Sequence, residues 1–183
     1  MKASAFVVGP QELAGAALIQ LALEAGFDPV QPYRGLAKAE AQAHETPLLF
    51  FLCAAVADVA SLKPMADAIR FSPSRKLRFS PLIYFARKPS TDNIKACINM
   101  GFDDVIALPI AAEQLTTRIG RQIGTLQIYY ETATYFGPDR RERIGGAETD
   151  PRRGGGGEFH RIEIIRSPET GVDVLKDDLQ MVL

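Results

Sequence analysis

Short apolar runs bounded by glycine or proline alternate with amphipathic stretches through the first 130 residues. Four of these runs predict β-strands, at residues 4–8, 47–53, 81–86 and 104–108. The run PLLFFLC at 47–53 is continuously apolar, which is typical of a strand covered by helices on both faces. Residues 28–34, DPVQPYR, contain two prolines and are compatible only with a short or edge strand.

Helical periodicity fills the stretches between the predicted strands. One helical face in the first stretch collects the apolar positions Leu13, Ala17, Leu21 and Ala25, and Gly26 follows as a C-cap. Further helices are predicted at residues 35–45, 56–71 and 90–100, and from Pro109 to about residue 132. Strands that alternate with helices indicate an α/β domain over residues 1–130, with a doubly wound, five-stranded parallel sheet.

The segment 81–115, PLIYFARKPSTDNIKACINMGFDDVIALPIAAEQL, resembles the end of a response-regulator receiver domain. In that family a fourth strand is followed by a helix that ends in a Gly-Ala-Asp-Asp-type turn, and a fifth strand leads to Lys-Pro and the last helix. Here residues 101–104 read Gly-Phe-Asp-Asp, and Pro109 stands at the position of the proline. The resemblance covers residues 1–125 and implies a flavodoxin-like fold.

Receiver chemistry requires two carboxylates after the first strand, which hold Mg²⁺, and an aspartate at the end of the third strand, which accepts the phosphoryl group. It also requires a hydroxyl at the end of the fourth strand and a lysine after the fifth. The resemblance places these positions on Gly9, Pro10, Cys53 (or Leu52), Ala86 and Leu108. Without carboxylates, a hard cation has no ligands and the charge on a transferring phosphoryl group is not neutralised. We therefore expect a degenerate pseudo-receiver with no catalytic residue, metal or cofactor.

Two other side chains near the predicted pocket, and Cys53 itself, have alternative interpretations. Glu12 lies within the first predicted helix, and Asp58 lies five residues past the third predicted strand. We interpret both as solvated surface charges. Cys53 lies at the carboxyl edge of the predicted sheet, where ligands bind in α/β folds, so a phosphocysteine or redox role is one hypothesis. No cationic neighbour in the sequence lowers its pKa, and a buried thiol is the simpler interpretation.

The resemblance also implies a surface for partners. In receivers the fourth helix, fifth strand and fifth helix commonly form the face that meets a partner or a second copy. In this chain the face would include residues 90–126, with Arg118 and Arg121. The first functional hypothesis is therefore a two-component signalling module that acts through protein–protein contacts, independently of phosphorylation, with a homodimer as one option.

Composition changes after residue 132. Residues 134–159 contain seven glycines and five arginines, so we expect a flexible Arg/Gly-rich linker over residues 131–159. Arginine grips phosphate bidentately and stacks on flat rings. The candidate ligand-binding side chains are Arg140, Arg141, Arg143, Arg152 and Arg153. The alternative function is thus a sensor of cyclic di-GMP or another nucleotide, because DRRER at 139–143 resembles the arginine motif that opens PilZ domains.

Two further interpretations of this segment remain open: a solvated, charge-balanced linker and a docking peptide for a protein partner. Nucleic acid is disfavoured because the acidic residues Asp139, Glu142, Glu148 and Asp150 offset the arginines.

Regular alternation returns in residues 160–183. RIEIIR and VDVL flank the turn composition of residues 167–171, which predicts a C-terminal β-hairpin. One face of this hairpin would carry Ile162, Ile164, Val172 and Val174. A lone two-stranded hairpin is marginal in water, so we expect it to dock on the α/β domain or on a second subunit.

Composition and charge narrow the class of protein. Of 183 residues, 46% are hydrophobic and 23% charged, which indicates a folded core, and the net charge of -1 gives no general attraction for polyanions. The N-terminal apolar run is too short for a signal peptide, and no run approaches the ~18 residues of a membrane span, so we expect a cytoplasmic protein. The two cysteines form no CxxC pair, and no P-loop, dinucleotide fingerprint or Ser/His/Asp set is present, which argues against a zinc site and an enzyme.

Overall fold

Strands and helices alternate from Ser4 to Gly120 in the computed structural model, which describes residues 3–10, 12–139 and 158–181. The strands of this part are β1 Ser4–Val8, β2 Val30–Pro32, β3 Leu49–Cys53, β4 Leu82–Ala86 and β5 Asp104–Ala107. The helices are α1 Ala14–Glu24, α2 Leu36–Glu45, α3 Lys63–Arg70, α4 Thr91–Asn99 and α5 Ala112–Gly120. A 3-10 turn, Val59–Leu62, leads into α3, and a single helical turn, Arg75–Arg78, precedes β4.

The five strands form one parallel sheet in the order β2-β1-β3-β4-β5, which is the flavodoxin-like order. This confirms the predicted α/β fold class. Successive side chains of a strand point to opposite faces of a sheet. Phe50 and Phe51 of β3 accordingly enter two different apolar clusters, one on each face, and both are fully buried. The continuous apolar run PLLFFLC is thus explained by helices that cover both faces.

The last helix of this domain is shorter than its periodicity predicts. α5 ends at Gly120, and the predicted extension to about residue 132 is wrong. Gly124 adopts a φ of 68°, which favours glycine, and its N–H donates to the Arg166 carbonyl at 2.8 Å. The chain then becomes extended because QIYYE, residues 127–131, pairs with residues 160–164 of a later strand.

A second, antiparallel sheet follows. It contains β6 Gln127–Glu131, β7 Phe136–Pro138, β8 Glu158–Ser167 and β9 Gly171–Met181, in the order β7-β6-β8-β9. β8 and β9 confirm the predicted C-terminal hairpin, and both strands are longer than the pattern indicates. Two further strands join the hairpin: β6, which ends at the first residue of the predicted linker, and β7, which lies within it.

The second sheet packs against the α/β domain. A third apolar cluster combines Phe79, from the segment before β4, with five residues of the second sheet: Tyr129, Phe136, Ile162, Ile164 and Val172. The Phe79 ring makes edge contacts with Tyr129 and Phe136, at centroid distances of 5.2 Å in both cases. The predicted docking of the hairpin on the α/β domain is therefore observed. None of the helices in the described residues is long and apolar enough to cross a membrane.

Candidate functional site

The residues predicted to form a degenerate phosphorylation pocket lie at the carboxyl edge of the parallel sheet, where ligands bind in folds of this kind. Val8 at the end of β1 pairs with Cys53 at the end of β3, and the Ala54 N–H donates to the Val8 carbonyl at 2.8 Å. Gly9 follows with a φ of 127°, and a side chain there would lie 3.2 Å from the Ala54 Cβ. The structure thus brings Gly9 and Cys53 to the same edge.

Two further positions meet at the ends of β4 and β5. The Leu108 N–H donates to the Ala86 carbonyl at 2.9 Å, just beyond the pairing of Ala86 with Ala107. Ala86 is buried, Leu108 is half-buried and Pro10 is exposed. The side chains at these positions offer no oxygen or nitrogen atom to a cation or a phosphoryl group.

Cys53 is fully buried in the apolar cluster that also contains Phe6, Tyr84 and Cys97. Burial raises the pKa of the Cys53 thiol well above its ordinary value, and the nearby Cys97 raises it further, whereas Arg70 lowers it less. The thiolate is the nucleophilic form of cysteine, so a thiol held neutral in this way is chemically inert.

Carboxylates near this edge have other roles. Asp58 accepts a hydrogen bond from the Ala60 N–H at 3.0 Å and so caps the 3-10 turn, and Glu12 is exposed. Within residues 3–10, 12–139 and 158–181, no three His, Cys, Asp or Glu side chains lie close enough together to hold a metal ion.

A polar cluster that the sequence did not indicate lies at the opposite edge of the sheet, around Asp103. This carboxylate, immediately before β5, accepts hydrogen bonds from Arg70 Nη2 at 2.6 Å and from the Leu82 N–H at 2.8 Å. Its other oxygen accepts from Arg166 Nη2 at 3.0 Å and from the Tyr129 hydroxyl. Asp103 and Arg70 belong to the α/β domain, whereas Tyr129 and Arg166 belong to the second sheet. We call these four residues the Asp103 cluster.

The two arginines of the Asp103 cluster use their remaining donors on carbonyl oxygens. Arg70 donates to the carbonyls of Gly101, Arg78 and Ser80 at 2.6–2.9 Å. Arg166 donates to the Phe79 carbonyl at 2.8 Å and to Gln122 Oε1 at 3.0 Å. The backbone carbonyls among these acceptors lie at or just after the C-terminal ends of α4 and of the turn Arg75–Arg78, where the backbone dipoles are negative. These acceptors stabilise the second buried positive charge, which the single Asp103 carboxylate does not balance.

The protonation states of the Asp103 cluster are fixed at neutral pH. Burial raises the pKa of Asp103, but the guanidinium groups of Arg70 and Arg166 and the hydrogen bonds from Tyr129 and Leu82 outweigh it and hold that pKa below its ordinary value. Burial, together with the Asp103 charge, raises the pKa of Tyr129 against the opposing effect of the arginines. Asp103 is therefore ionised and Tyr129 is a neutral donor, so the cluster acts as a fixed link between the two sheets.

One local signal for this cluster exists in the sequence. Arg166 continues the alternation of Ile162 and Ile164, which places it on the buried face of β8. A charged residue on an apolar face indicates a buried partner, because an unpaired charge would be too costly there. The partner itself, Asp103, stands in an ordinary turn and carries no such signal.

The face formed by α4, β5 and α5 carries the second set of predicted residues. Arg118 of α5 binds the Asp104 carboxylate bidentately, with Nη2 at 2.7 Å and 2.9 Å and Nε at 3.1 Å from its oxygens. This ion pair fixes α5 against the start of β5. The Arg121 side chain, one turn later, is exposed. The candidate ligand-binding residues Arg140, Arg141, Arg143, Arg152 and Arg153 lie outside the described residues, so their role stays a prediction.

Comparison with known proteins identifies a structure but no family. No protein-family model matches the chain, and no curated protein sequence matches it. A similar solved structure is the crystal structure of a CheY-like protein (tadZ) from Pseudomonas aeruginosa PAO1. The two chains are 19% identical with a TM-score of 0.48, and the match covers 64% of this chain and 98% of that chain. The assignment of the fold rests on the strand order and the connections described above.

Proposed function

We propose that this chain is a signalling module of the response-regulator type that acts through protein contacts and without phosphotransfer. The observation that carries the proposal is the chemistry of the carboxyl edge. Gly9, Pro10, Cys53, Ala86 and Leu108 occupy the positions that the receiver resemblance assigns to metal binding and phosphoryl transfer, and none supplies an oxygen ligand or a cation. A receiver-like fold without this chemistry retains its surfaces, because fold and function are separable.

The surface that supports partner contact is the face of α4, β5 and α5, which we call the α4–β5–α5 face. Two contacts stabilise its elements: Ser90 caps α4 by accepting a hydrogen bond from the Asn93 N–H at 3.1 Å, and the Asp104–Arg118 ion pair joins β5 to α5. A preformed surface binds a partner without the cost of ordering its own loops.

Exposed charge on the α4–β5–α5 face is balanced. Its exposed basic side chains are Lys95 of α4 and Arg121, directly after α5, and its exposed acidic ones are Asp92 of α4 and Glu113 of α5. Complementary charge speeds encounter and selects among partners more than it adds affinity. We therefore assign the α4–β5–α5 face to a protein whose contact surface carries charges of both signs.

The absence of phosphotransfer is tested by mass spectrometry. The full chain is incubated with a small-molecule phosphodonor and Mg²⁺, beside a receiver domain with a complete acidic pocket as the positive control. The intact mass of this chain should stay unchanged while the control gains a phosphoryl group. A stoichiometric adduct of about 80 Da on this chain would overturn the proposal.

The partner face is tested by crosslinking in cells. A photoreactive amino acid in place of Arg121 should crosslink to a protein partner, whereas the same amino acid in place of Lys38, an exposed residue of α2, should not. Equal crosslinking at the two positions, or none at position 121, would contradict the assignment of the α4–β5–α5 face.

A further inference from the structure

The outer edge of β9 combines free strand length with exposed apolar side chains. β9 spans eleven residues and stands at the end of its sheet, and within the described residues no strand pairs with its outer side. Leu175, Leu179 and Met181 expose 57%, 56% and 65% of their surface. An open edge with apolar side chains is a template for pairing with another strand.

The backbone of β9 presents its hydrogen-bonding groups at these same residues. Residues along an antiparallel strand turn their N–H and C=O groups alternately to either side. The Arg166 carbonyl accepts a hydrogen bond from the Gly124 N–H, which lies on the β6 side of β8. The odd-numbered residues of β8, including Arg161, therefore direct their N–H and C=O groups toward β9. Arg161 is paired with Asp178. The intervening residues of β9, Asp177, Leu179 and Met181, therefore direct their N–H and C=O groups outward.

We propose that β9 pairs antiparallel with β9 of a second copy of this chain, about a two-fold axis at Asp177, to give one continuous eight-stranded sheet. In this register Lys176 lies opposite the second copy's Asp178, and the symmetry repeats the ion pair. Leu175, the bulged residue of β9, lies opposite the second copy's Leu179, also twice. Opposite charges and apolar pairs directly across two strands stabilise a sheet.

Side-chain pairing selects this register over its neighbours. A two-fold axis at Asp178 would place Lys176 opposite the second copy's Gln180 and Asp177 opposite its Leu179, so that both favourable pairs would be lost. An axis at Leu179 would move Lys176 beyond Met181, out of reach of any acidic side chain in β9. At the proposed axis the two Asp177 carboxylates repel each other, and the two ion pairs and two leucine pairs offset this repulsion. Each Asp177 also lies 2.7 Å from Nδ1 of its own His160.

A second copy fits this edge because the interface is self-complementary. In an isologous two-fold contact, each chain contributes the same surface, and a single pairing satisfies both open edges. Lys176 and Asp178 form an ion pair within one chain. Both side chains are half-exposed, so they can also contact a second copy. The contact rests on the proposed function, since the chain is taken to act through protein contacts, but it uses a surface distinct from the α4–β5–α5 face.

A crosslinking experiment on the full chain tests the register. Across a directly opposed, hydrogen-bonded pair the Cα atoms lie about 5.5 Å apart, within the range of a disulfide. Asp177→Cys should therefore form a disulfide-linked dimer under mild oxidation. Leu179→Cys is the matched control, because its two copies would lie four residues apart, at roughly 13 Å. Cys53 and Cys97 are buried and should not contribute. Crosslinking at 179 without crosslinking at 177 would overturn the register.

Charge reversal tests the interface in solution. Lys176→Asp or Asp178→Lys alone turns both ion pairs into repulsive pairs, and should raise the dimer dissociation constant about tenfold in sedimentation equilibrium. The chain that carries both substitutions restores opposite charges and should return to within about threefold of the wild type. Circular dichroism should show the same fold in all variants, because both side chains lie on the surface.

Three outcomes would overturn the inference. They are a wild-type chain that stays monomeric, a dimer that is insensitive to both single reversals, and a double substitution that fails to restore pairing. A dimer lost only on substitution of Arg121 would place the contact on the α4–β5–α5 face, and would leave the proposed function intact. The phosphodonor assay overturns the proposed function independently of all these measurements.

Discussion

The Asp103 carboxylate in the α/β domain accepts a hydrogen bond at 3.0 Å from Arg166 Nη2 in the second sheet, and both side chains are buried. The two residues are 63 positions apart in sequence. Their contact, together with the bond from Arg70 to the same carboxylate, makes the second sheet an integral part of the folded unit.

Removal of the carboxylate charge should destabilise the fold strongly. Asp103→Asn leaves two buried guanidinium groups without their counter-ion, and we expect a loss of about 3–5 kcal/mol in the free energy of unfolding. Asp104→Asn, in the next position, breaks a partly exposed pair and should cost no more than about 1 kcal/mol. Urea titration followed by circular dichroism measures both. Equal costs for the two variants would show that burial of the cluster is energetically unimportant.

Loss of Arg166 should loosen the second sheet before the first. Arg166→Met keeps most of the side-chain length but removes the bonds to Asp103, Tyr129 and Phe79. We expect amide hydrogen exchange in β6 and β8 to accelerate at least about tenfold while β1 and β3 stay protected. The control is Arg161→Met, on the same strand, whose ion pair with Glu163 is partly exposed. Uniform acceleration across both sheets would contradict a local link.

Acid should reveal the lowered pKa of Asp103. A carboxyl whose pKa is lower in the folded state adds stability above its unfolded pKa of about 4, and this stability is lost as pH falls toward the folded pKa. The difference in unfolding free energy between wild type and Asp103→Asn should therefore be constant from pH 7 to about 5 and shrink below about 4. A difference that stays constant through the acid range would argue against ionised Asp103 as its source.

The Cys53 thiol should be unreactive in the folded protein. Its pKa is raised by burial, and Cys97 is buried in the same cluster. A thiol-reactive dye at pH 8 should label neither cysteine until denaturant unfolds the chain, whereas Lys38→Cys, at an exposed position of α2, should label at once. Rapid labelling of the native wild type that disappears in Cys53→Ala would revive the hypothesis of a reactive cysteine.

The local sequence pattern was sufficient to predict an element wherever buried positions recur along it at regular spacing. The run PLLFFLC identifies a strand covered on both faces, because each of its side chains meets an apolar layer. Alternation of apolar and polar residues in RIEIIR identifies β8, because the side chains of only one face of this strand are buried. The sequence also predicts a degenerate pocket, since the residues at positions 9, 53 and 86 (Gly9, Cys53 and Ala86) decide whether side-chain ligand atoms exist there.

Tertiary structure alone decided β6 and the Asp103 cluster. Helical periodicity continues locally through Ile119 and Ile123, but residues 127–131 gain their backbone partners by pairing with β7 on one side and with His160–Ile164 on the other. Asp103 likewise looks like any turn residue until the fold brings two distant arginines to it. Burying a charge is favourable only when its partners arrive with it, and nothing in the neighbouring sequence records where those partners lie.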